Sequence, residues 1–473
     1  MNRTLRTSTI ALALAAGWVL PAHAAAARQD EVARQLAEMR AQLDQLNQRV
    51  GSLEGDLSAA RARADAAETR AAAALAEAAA AKAAVAKVPA PSVTAKSDVE
   101  ISWDGAPRLA TKDGWSFKPR GRLQVDAAGV NAPAGIAAGK ELGFASEFRR
   151  AYLGAEGTMP GGFGYRAEFD FANSGVEVTD LYLTWKASPK VTLTVGQFKP
   201  FWGMEEMTSD LFISFLERGA FNSAFGFERR LGVGATYAGK SLLVQGGVFT
   251  DSVADLNSDT NNSYSLDGRV VFMPKLGDGQ VHLGVSAHYR DFNDVSATAR
   301  YRARPFVHTT DLRLIDTRAF SASGERSFGT ELAYVNGRFH AQGESHWITA
   351  LRPGLADPTF NGGFVELGYL LTDDVTAYKN GAYDRIRPKN PITRGGIGAI
   401  QANLRYDWLD LNSGAVVGGR QQVAGASLLW IPTDYVRFIL NYGHIWINDA
   451  AVAAGARRDY SADALGLRAQ FDF

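Results

Sequence analysis

The chain has 473 residues, with 50 basic and 50 acidic side chains and no cysteine. The balanced charge gives no global reason to expect nucleic acid or an anionic surface as a partner, so any preference for charged ligands must be arranged locally. The absence of cysteine excludes a disulfide scaffold and a thiol nucleophile.

Residues 1–24 have the layout of a secretory signal peptide, which is removed from the mature protein. Arg3 and Arg6 form a basic start, an apolar run covers 10–20, and an A-x-A cleavage pattern occupies 22–24. A signal anchor is the alternative. No later segment offers the roughly 18 consecutive apolar residues that a spanning helix needs. If the exported chain crosses a membrane, we therefore expect it to do so without helices.

Residues 25–87 are predicted to form a helical coiled coil. Apolar residues recur there at alternating spacings of four and three, which is the a/d pattern of a heptad repeat. They are Val32, Leu36, Met39, Leu43, Leu46, Val50, Leu53 and Leu57. A helix with one apolar stripe needs partners, so the segment predicts an oligomer, and a single helix that folds back on its own chain is the alternative. Residues 88–114 are predicted to be a linker, because the run 88–97 contains helix-breaking prolines.

Residues 115–473 alternate apolar and polar side chains with period 2, which predicts β-strands that each have one apolar face. Compact turn signals alternate with longer polar segments, the plan of an outer-membrane barrel with short turns at one end. With both termini at the short-turn end the count is about 16 strands, provided that residues 372–395 form a longer periplasmic connection. A soluble sandwich also alternates, but its apolar faces seldom carry so many aromatic residues near strand ends. The predicted fold class is all-β, a transmembrane antiparallel β-barrel preceded by an α-helical coiled-coil segment.

Residues 297–306 read ATARYRARPF, which places Arg300, Arg302 and Arg304 at every second position. In an extended chain their stems would lie about 6.6–7 Å apart. Two charges at that distance repel by about 0.6 kcal/mol in water and about 2.4 kcal/mol at an effective dielectric of 20. One lipid-facing arginine at the bilayer midplane costs about 2–4 kcal/mol, so the row must avoid lipid. A solvated outer loop and a loop that returns into the barrel mouth both remain open.

Several stretches resemble the phosphate-selective porin O and P family. They are VGQFKPFWGMEEMTSD (195–210), SFLERGAF (214–221), EFRRAYLGAEG (147–157), RARPF (302–306) with His308, RPKNP (387–391) and LRYDWLDLN (404–412). The resemblance covers about residues 115–473, and the helical segment lies outside it. It implies a trimeric, anion-selective channel in which the third external loop narrows the pore. It also implies an arginine ladder from the mouth to that constriction.

The resemblance further implies a set of anion-binding or pore-lining side chains. The set comprises the ladder, an arginine pair on the second strand, a first-strand arginine, a basic residue of the inward loop and a lumenal acid. In that order they are Arg300, Arg302 and Arg304 with His308; Arg149 and Arg150; Arg122; Arg218; and Asp180. A regular strand sends consecutive residues to opposite faces. Arg150 shares the polar face, so Arg149 requires a bulge, a subunit interface or the membrane edge.

The expected function is that of an outer-membrane porin for passive, anion-biased diffusion of phosphate or related anions, because arginine forks hold phosphate oxygens through paired hydrogen bonds. Two alternatives remain: a porin for other small anions or acidic solutes, and a structural envelope tether whose barrel is only an anchor. The expected partners are small anions, outer-membrane lipid, further copies in a homotrimer, and peptidoglycan through the coiled coil. The expected location is the Gram-negative outer membrane, with the coiled coil in the periplasm. No cofactor, metal site or nucleic acid is expected. Enzymatic activity is not expected either, since the sequence contains no hydrolase elbow, phosphate loop or convincing acid/base pair.

Overall fold

The computed structural model describes residues 99–136, 142–172, 175–256, 261–294 and 296–473, together with seven isolated positions between 51 and 76. The chain divides into two compact units, residues 1–96 and 97–473. The seven described positions of the first unit are helical and exposed. The signal peptide and the packing of the coiled coil lie outside the described residues and stay predictions. Within the described residues, no helix is long and apolar enough to cross a bilayer.

The second unit consists mainly of antiparallel strands. They are β1 (Val99–Asp104), β2 (Ala106–Thr111), β3 (Ser116–Asn131), β4 (Ala145–Met159), β5 (Phe163–Asp170), β6 (Glu177–Lys186), β7 (Val191–Phe198), β8 (Arg230–Ala238), β9 (Leu242–Phe249), β10 (Tyr264–Phe272), β11 (Lys275–Leu276), β12 (Gly279–Asp291), β13 (Thr298–Ala299), β14 (Arg302–Ala303), β15 (Ile315–Asp316), β16 (Phe320–Ser321), β17 (Gly324–Asn336), β18 (Phe339–Leu351), β19 (Thr359–Leu370), β20 (Tyr378–Lys379), β21 (Ala382–Tyr383), β22 (Ala399–Ser413), β23 (Val416–Thr433), β24 (Val436–Asn448) and β25 (Tyr460–Asp472). Two short α-helices, α1 (Met204–Met207) and α2 (Ala220–Ala224), and a 3-10 turn at Ile392–Arg394 complete the unit.

Sixteen of these strands form one closed barrel: β3–β10, β12, β17–β19 and β22–β25. Each pairs antiparallel with its neighbours, and the sheet closes where β25 pairs with β3, from Asp463 opposite Asn131 to Asp472 opposite Arg122. The all-β class, the antiparallel barrel and the strand count are therefore confirmed. The count holds because the connection between β19 and β22, residues 371–398, is the long one at the short-turn end.

The strands of the barrel carry apolar side chains outside and polar ones inside. In β25, Leu465, Leu467 and Phe471 are exposed on the outer surface, whereas Arg468 and Gln470 are buried on the lumenal side. This is the period-2 alternation that the sequence predicted for residues 115–473. A wall of this kind is stable only where its outer face meets lipid and its inner face meets water or polar groups.

Residues 99–111, which the sequence analysis placed in the linker 88–114, form an antiparallel hairpin instead. β1 pairs with β2 along its whole length, from Val99 opposite Thr111 to Asp104 opposite Ala106. β2 then continues onto the barrel through Leu109 opposite Phe117. The alternation of apolar and polar residues that makes the barrel strands thus begins before residue 115.

Three segments fold into the barrel and fill much of its lumen. The inward loop (residues 199–229) contains α1 and α2, the arginine loop (residues 292–323) contains β13–β16, and the returning connection (residues 371–398) contains β20 and β21. Aromatic side chains of the first two loops join the main hydrophobic cluster. They are Trp202, Phe215, Phe221, Phe225, Phe227, Tyr301 and Phe306.

Candidate functional site: an arginine-lined cavity

A cavity of about 810 Å³ lies at the long-loop end of the barrel, between the inward loop, the arginine loop and the upper part of β4. Eight arginines and four glutamates line it, which leaves a formal excess of four positive charges. The arginines are Arg149, Arg150, Arg218, Arg229, Arg300, Arg302, Arg304 and Arg313, and His308 lies on the same wall. The cavity thus brings together seven of the nine side chains that the sequence analysis selected.

The arginine loop reaches the cavity because its side chains alternate. Tyr301 and Ala303 are buried, and the Tyr301 hydroxyl donates a 2.8 Å hydrogen bond to Glu325. The arginines on either side of them point the other way and line the cavity. β14 pairs with β15, with Arg302 opposite Asp316. The segment is therefore extended, and its arginines lie on the cavity wall.

Phe306 fixes the position of this loop. Its backbone has a φ of 64°, a left-handed conformation that costs a bulky residue about 1–3 kcal/mol. The ring packs onto Gly425 and Gly443, which are paired residues of β23 and β24. A Cβ at Gly425 would lie 2.8 Å from the ring, so the two glycines form a notch that only small residues allow.

The three arginines of the ladder differ in their partners. Arg300 donates from Nε to Asp316 at 2.9 Å, and Arg304 pairs with Asp311 at 2.9 Å. Arg302 is exposed, and among the described residues no carboxylate lies within ion-pair distance of it. Arg302 is therefore the ladder arginine that is best placed to bind an incoming anion.

Arg313 adds a further positive charge to the same wall. Burial, followed by the nearby charges of Arg304 and Arg302, lowers the pKa of Arg313 to about 10. The guanidinium groups of Arg302, Arg304 and Arg313 repel one another, so an anion between them would be stabilised because it relieves that repulsion.

Arg149 and Arg150 both line the cavity because β4 contains a bulge. The register shifts there, since Gln124 of β3 pairs with Arg150 and the next β3 residue pairs with Phe148. Arg149 is thus the extra residue of the bulge. A bulge was one of the three ways in which the sequence analysis reconciled Arg149 with the alternation of β4. Arg149 makes two hydrogen bonds to Glu217, at 2.8 and 3.0 Å.

Arg150 is bound differently from its neighbour. It pairs with Asp210 of the inward loop and donates to Gln124 at 2.8 Å. Asp210 also pairs with Arg122. Although burial opposes its ionisation, Arg122 and Arg150 hold the pKa of Asp210 well below its usual range. Asp210 is therefore a fixed negative charge that ties the inward loop to β3 and β4.

Arg122 and Asp180 lie behind the cavity wall and not on it. Arg122 is buried between Asp210 and Glu168, with a 3.0 Å contact to Glu168. Asp180 accepts a 2.6 Å hydrogen bond from Arg229, which does line the cavity. Each of the two is thus engaged with a charged side chain of the protein.

Arg218 braces the inward loop as well as lining the cavity. It donates to the backbone oxygens of Glu205 at 3.0 Å and Thr208 at 2.9 Å. Nearby, Lys199 pairs with Glu206 at 2.8 Å. Burial, together with the charge of Arg218, lowers the pKa of Lys199 to about 8.

Charged side chains continue from the cavity toward the short-turn end along β3–β6. Arg229 contacts Asp180 at 2.6 Å, Asp180 contacts Arg166 at 3.8 Å, and Arg166 contacts Glu156 at 2.6 Å. Glu156 contacts Arg120 at 3.0 Å. Positive and negative groups thus alternate along one wall of the barrel, and their side chains are partly exposed.

The opposite wall is closed by the loops. Glu344 and His346 of β18 are buried, and Glu344 accepts a hydrogen bond from the backbone N–H of Glu205. Lower down, Arg269 of β10 donates to the carbonyl of Gly381 in the returning connection at 2.8 Å. The open part of the lumen therefore lies eccentrically, against β3–β6.

Sequence reasoning did not select four charged residues in the inward loop and along β3–β6: Arg120, Arg166, Lys199 and Arg229. Arg166 lies in β5, on the polar face that period-2 alternation of the strand sequence indicates. Lys199 and Arg229 mark the two ends of the inward loop, and their charge alone could have suggested them. Arg120 and Arg229 have partners in distant parts of the sequence, at Glu156 and Asp180, which local pattern does not reveal.

Comparison with known proteins identifies the family to which the barrel belongs. The sequence model of the family described as phosphate-selective porin O and P matches residues 117–473. The chain belongs to this family. Within the porin O and P family, Porin O of Pseudomonas aeruginosa is 29% identical over 363 residues, covering 68% of this chain and 80% of that protein.

One further relative and one solved structure extend the comparison. An uncharacterized protein of Caulobacter vibrioides is 41% identical over 483 residues, covering 99% of this chain and 96% of the relative. The solved structure of an anion-selective porin from Comamonas acidovorans covers 76% of this porin family member and 100% of its own chain, with 12% identity and a TM-score of 0.50. That last likeness is one of fold.

Proposed function

We propose that this porin gives anions, phosphate or related ions among them, a passive path across the outer membrane. The observation that carries the proposal is the cavity at the barrel mouth, where eight arginines outnumber four glutamates. Arginine remains charged at every physiological pH and offers a planar fork to phosphate or carboxylate oxygens. Membership of the phosphate-selective porin O and P family also supports a path for anions.

The ion pairs around the cavity argue for weak and repeated binding. Arg149, Arg150, Arg300 and Arg304 each already hold a carboxylate. An anion that approaches them competes with a protein carboxylate, so it is attracted without being trapped. A channel requires this balance, because ions must leave as readily as they enter. A porin for other small anions or acidic solutes remains the second candidate. The cavity carries a formal excess of only four positive charges, which favours this second candidate over a channel specialised for phosphate.

The assembly that we propose is a homotrimer in the outer membrane, with the helical segment in the periplasm. The support is the family resemblance and the heptad spacing of residues 32–57. A contact between that segment and peptidoglycan is part of the proposal, and most residues of the segment lie outside those that the structure describes.

Planar-bilayer recording of the purified protein tests the function. In a KCl gradient, the reversal potential should show a preference for chloride, and phosphate should reduce the chloride current as its concentration rises. A barrel that conducts no current would contradict the channel. A channel that conducts without preferring chloride would contradict the anion bias.

A further inference from the structure

The cavity has a second kind of wall besides its arginines. Apolar side chains from strand β6 and from three loops line part of it: Val176, Val178, Ala220, Ala224, Phe227, Val253 and Ala254. Val176 is 65% exposed, so its methyl groups are open to a solute. Sites for organic ligands typically have volumes of about 300–1,000 Å³ and combine apolar walls with a few polar groups. The cavity, at about 810 Å³, fits that description.

Gln197 holds the apolar wall together. Its buried side chain donates to the carbonyl of Val178 and accepts a 2.7 Å hydrogen bond from the backbone N–H of Val253. These two valines come from β6 and from the loop after β9. One buried amide thus fixes two otherwise separate apolar segments against the same cavity.

The charges and the apolar wall together indicate a class of solute. Most cavity arginines are engaged with carboxylates, and Arg302 is the exposed ladder arginine without one among the described residues. Bare phosphate would use the arginines but gain nothing from the valines. An anion with a charged head and a small apolar body would use both.

We propose that this cavity prefers small amphipathic anions, in which a phosphate or carboxylate head is attached to an apolar body such as a phenyl ring. The head lies at Arg302, and the body lies against Val176, Val178 and Val253. The inference rests on the proposed anion pathway and specifies its solute.

The test compares phosphate with phenyl phosphate as blockers of chloride current in planar bilayers. Phenyl phosphate should reach half-block at about a tenfold lower concentration, which corresponds to 1.4 kcal/mol. The double variant V176S/V253S should lose most of that advantage while its block by phosphate is unchanged. Val375→Ser, an equally conservative change in the returning connection and outside the cavity wall, should leave both blocks unchanged.

The outcomes distinguish failure of the amphipathic preference from failure of the anion pathway on which it rests. Equal block by phosphate and phenyl phosphate in the wild-type protein would overturn the amphipathic preference and leave the anion pathway intact. An advantage that survives in V176S/V253S would overturn the valine wall as its cause. No block by either anion, together with no chloride preference, would overturn the anion pathway itself.

A second inference comes from the β1–β2 hairpin, which has one apolar face. The register places Val99, Ile101 and Trp103 on the same side as Leu109, while Glu100, Ser102 and Asp104 alternate to the other side. Ile101 is 70% exposed and Trp103 is 74% exposed. Leu109 pairs with Phe117, an exposed outer residue of β3. The apolar face is thus continuous with the outer wall of the barrel.

The end of the hairpin is tied to the barrel on its polar side. Asp104 accepts a 3.1 Å hydrogen bond from Tyr435 and lies 3.6 Å from Lys118. These contacts hold the hairpin beside the short-turn rim. We propose that the apolar face rests in the periplasmic leaflet of the outer membrane, as an extension of the lipid-facing wall.

The chain has no cysteine, so a single introduced cysteine can carry a spin label. In phospholipid vesicles, a label at Ile101→Cys should be relaxed by lipid-soluble oxygen more than by a water-soluble nickel complex. Glu100→Cys, one residue away on the polar face, should show the reverse. Preferential access of nickel to position 101 would overturn the lipid contact, and so would exclusion of both reagents, which would indicate contact with protein.

Discussion

Removing the guanidinium group of Arg302 tests the anion site at its most informative point. Arg302 is exposed on the cavity wall, and no described carboxylate competes for it. Two opposite unit charges at 4 Å attract by about 1 kcal/mol in water and about 4 kcal/mol at an effective dielectric of 20. Because Arg302 is exposed, its attraction to an anion lies closer to the value in water. The Arg302→Ala variant should therefore weaken anion binding by about 1–2 kcal/mol, or roughly five- to thirtyfold.

The assay measures the phosphate concentration that halves the chloride current through single channels in planar bilayers. Arg302→Lys keeps the charge and loses the fork, so its half-block should lie between those of the wild type and Arg302→Ala. Arg352→Ala removes one positive charge from another loop at the same end of the barrel, outside the cavity wall, and should leave the block unchanged. Equal half-block concentrations in Arg302→Ala and wild type would refute the assignment of the arginine row.

Three further changes probe the surroundings of the row. Glu217→Gln removes the carboxylate that holds Arg149, so phosphate should block several-fold more tightly; weaker block would show that Glu217 only shapes the site. The pKa of Lys199 is lowered to about 8 by burial, so its positive charge is present below that pH and lost above it. Chloride preference should decline between about pH 7 and 9, and Lys199→Met should remove that step; an identical pH profile in the variant would exclude Lys199. Gly443→Val fills the notch under Phe306, so the arginine loop should shift and phosphate block should weaken while the barrel still folds; unchanged block would show that the notch does not position the loop.

Much of the architecture follows from side-chain alternation. The outer surface of β25 and the position of 371–398 between two strands agree with the sequence analysis, because a closed sheet forces period 2 on every strand. The extended arginine loop was also predictable, since Tyr301 and Ala303 alternate with charges. Alternation between neighbouring side chains is a local property, so it can be recognised in a single sequence.

Pairing across the lumen could not be predicted in the same way. Glu217 reaches Arg149 across 68 residues of sequence, and Asp210 collects two arginines from different strands. The bulge that turns Arg149 into the lumen was one of three open explanations. The returning connection was expected at the periplasmic end, but nothing local indicated that it would fold inward to Arg269. Such contacts depend on the three-dimensional packing of loops inside a barrel.

The reversal potential of the purified wild-type protein in a KCl gradient tests most directly whether the arginine-lined cavity makes this barrel a path for anions. A potential displaced toward the chloride equilibrium value is the predicted result. A potential displaced toward the potassium value would contradict the account.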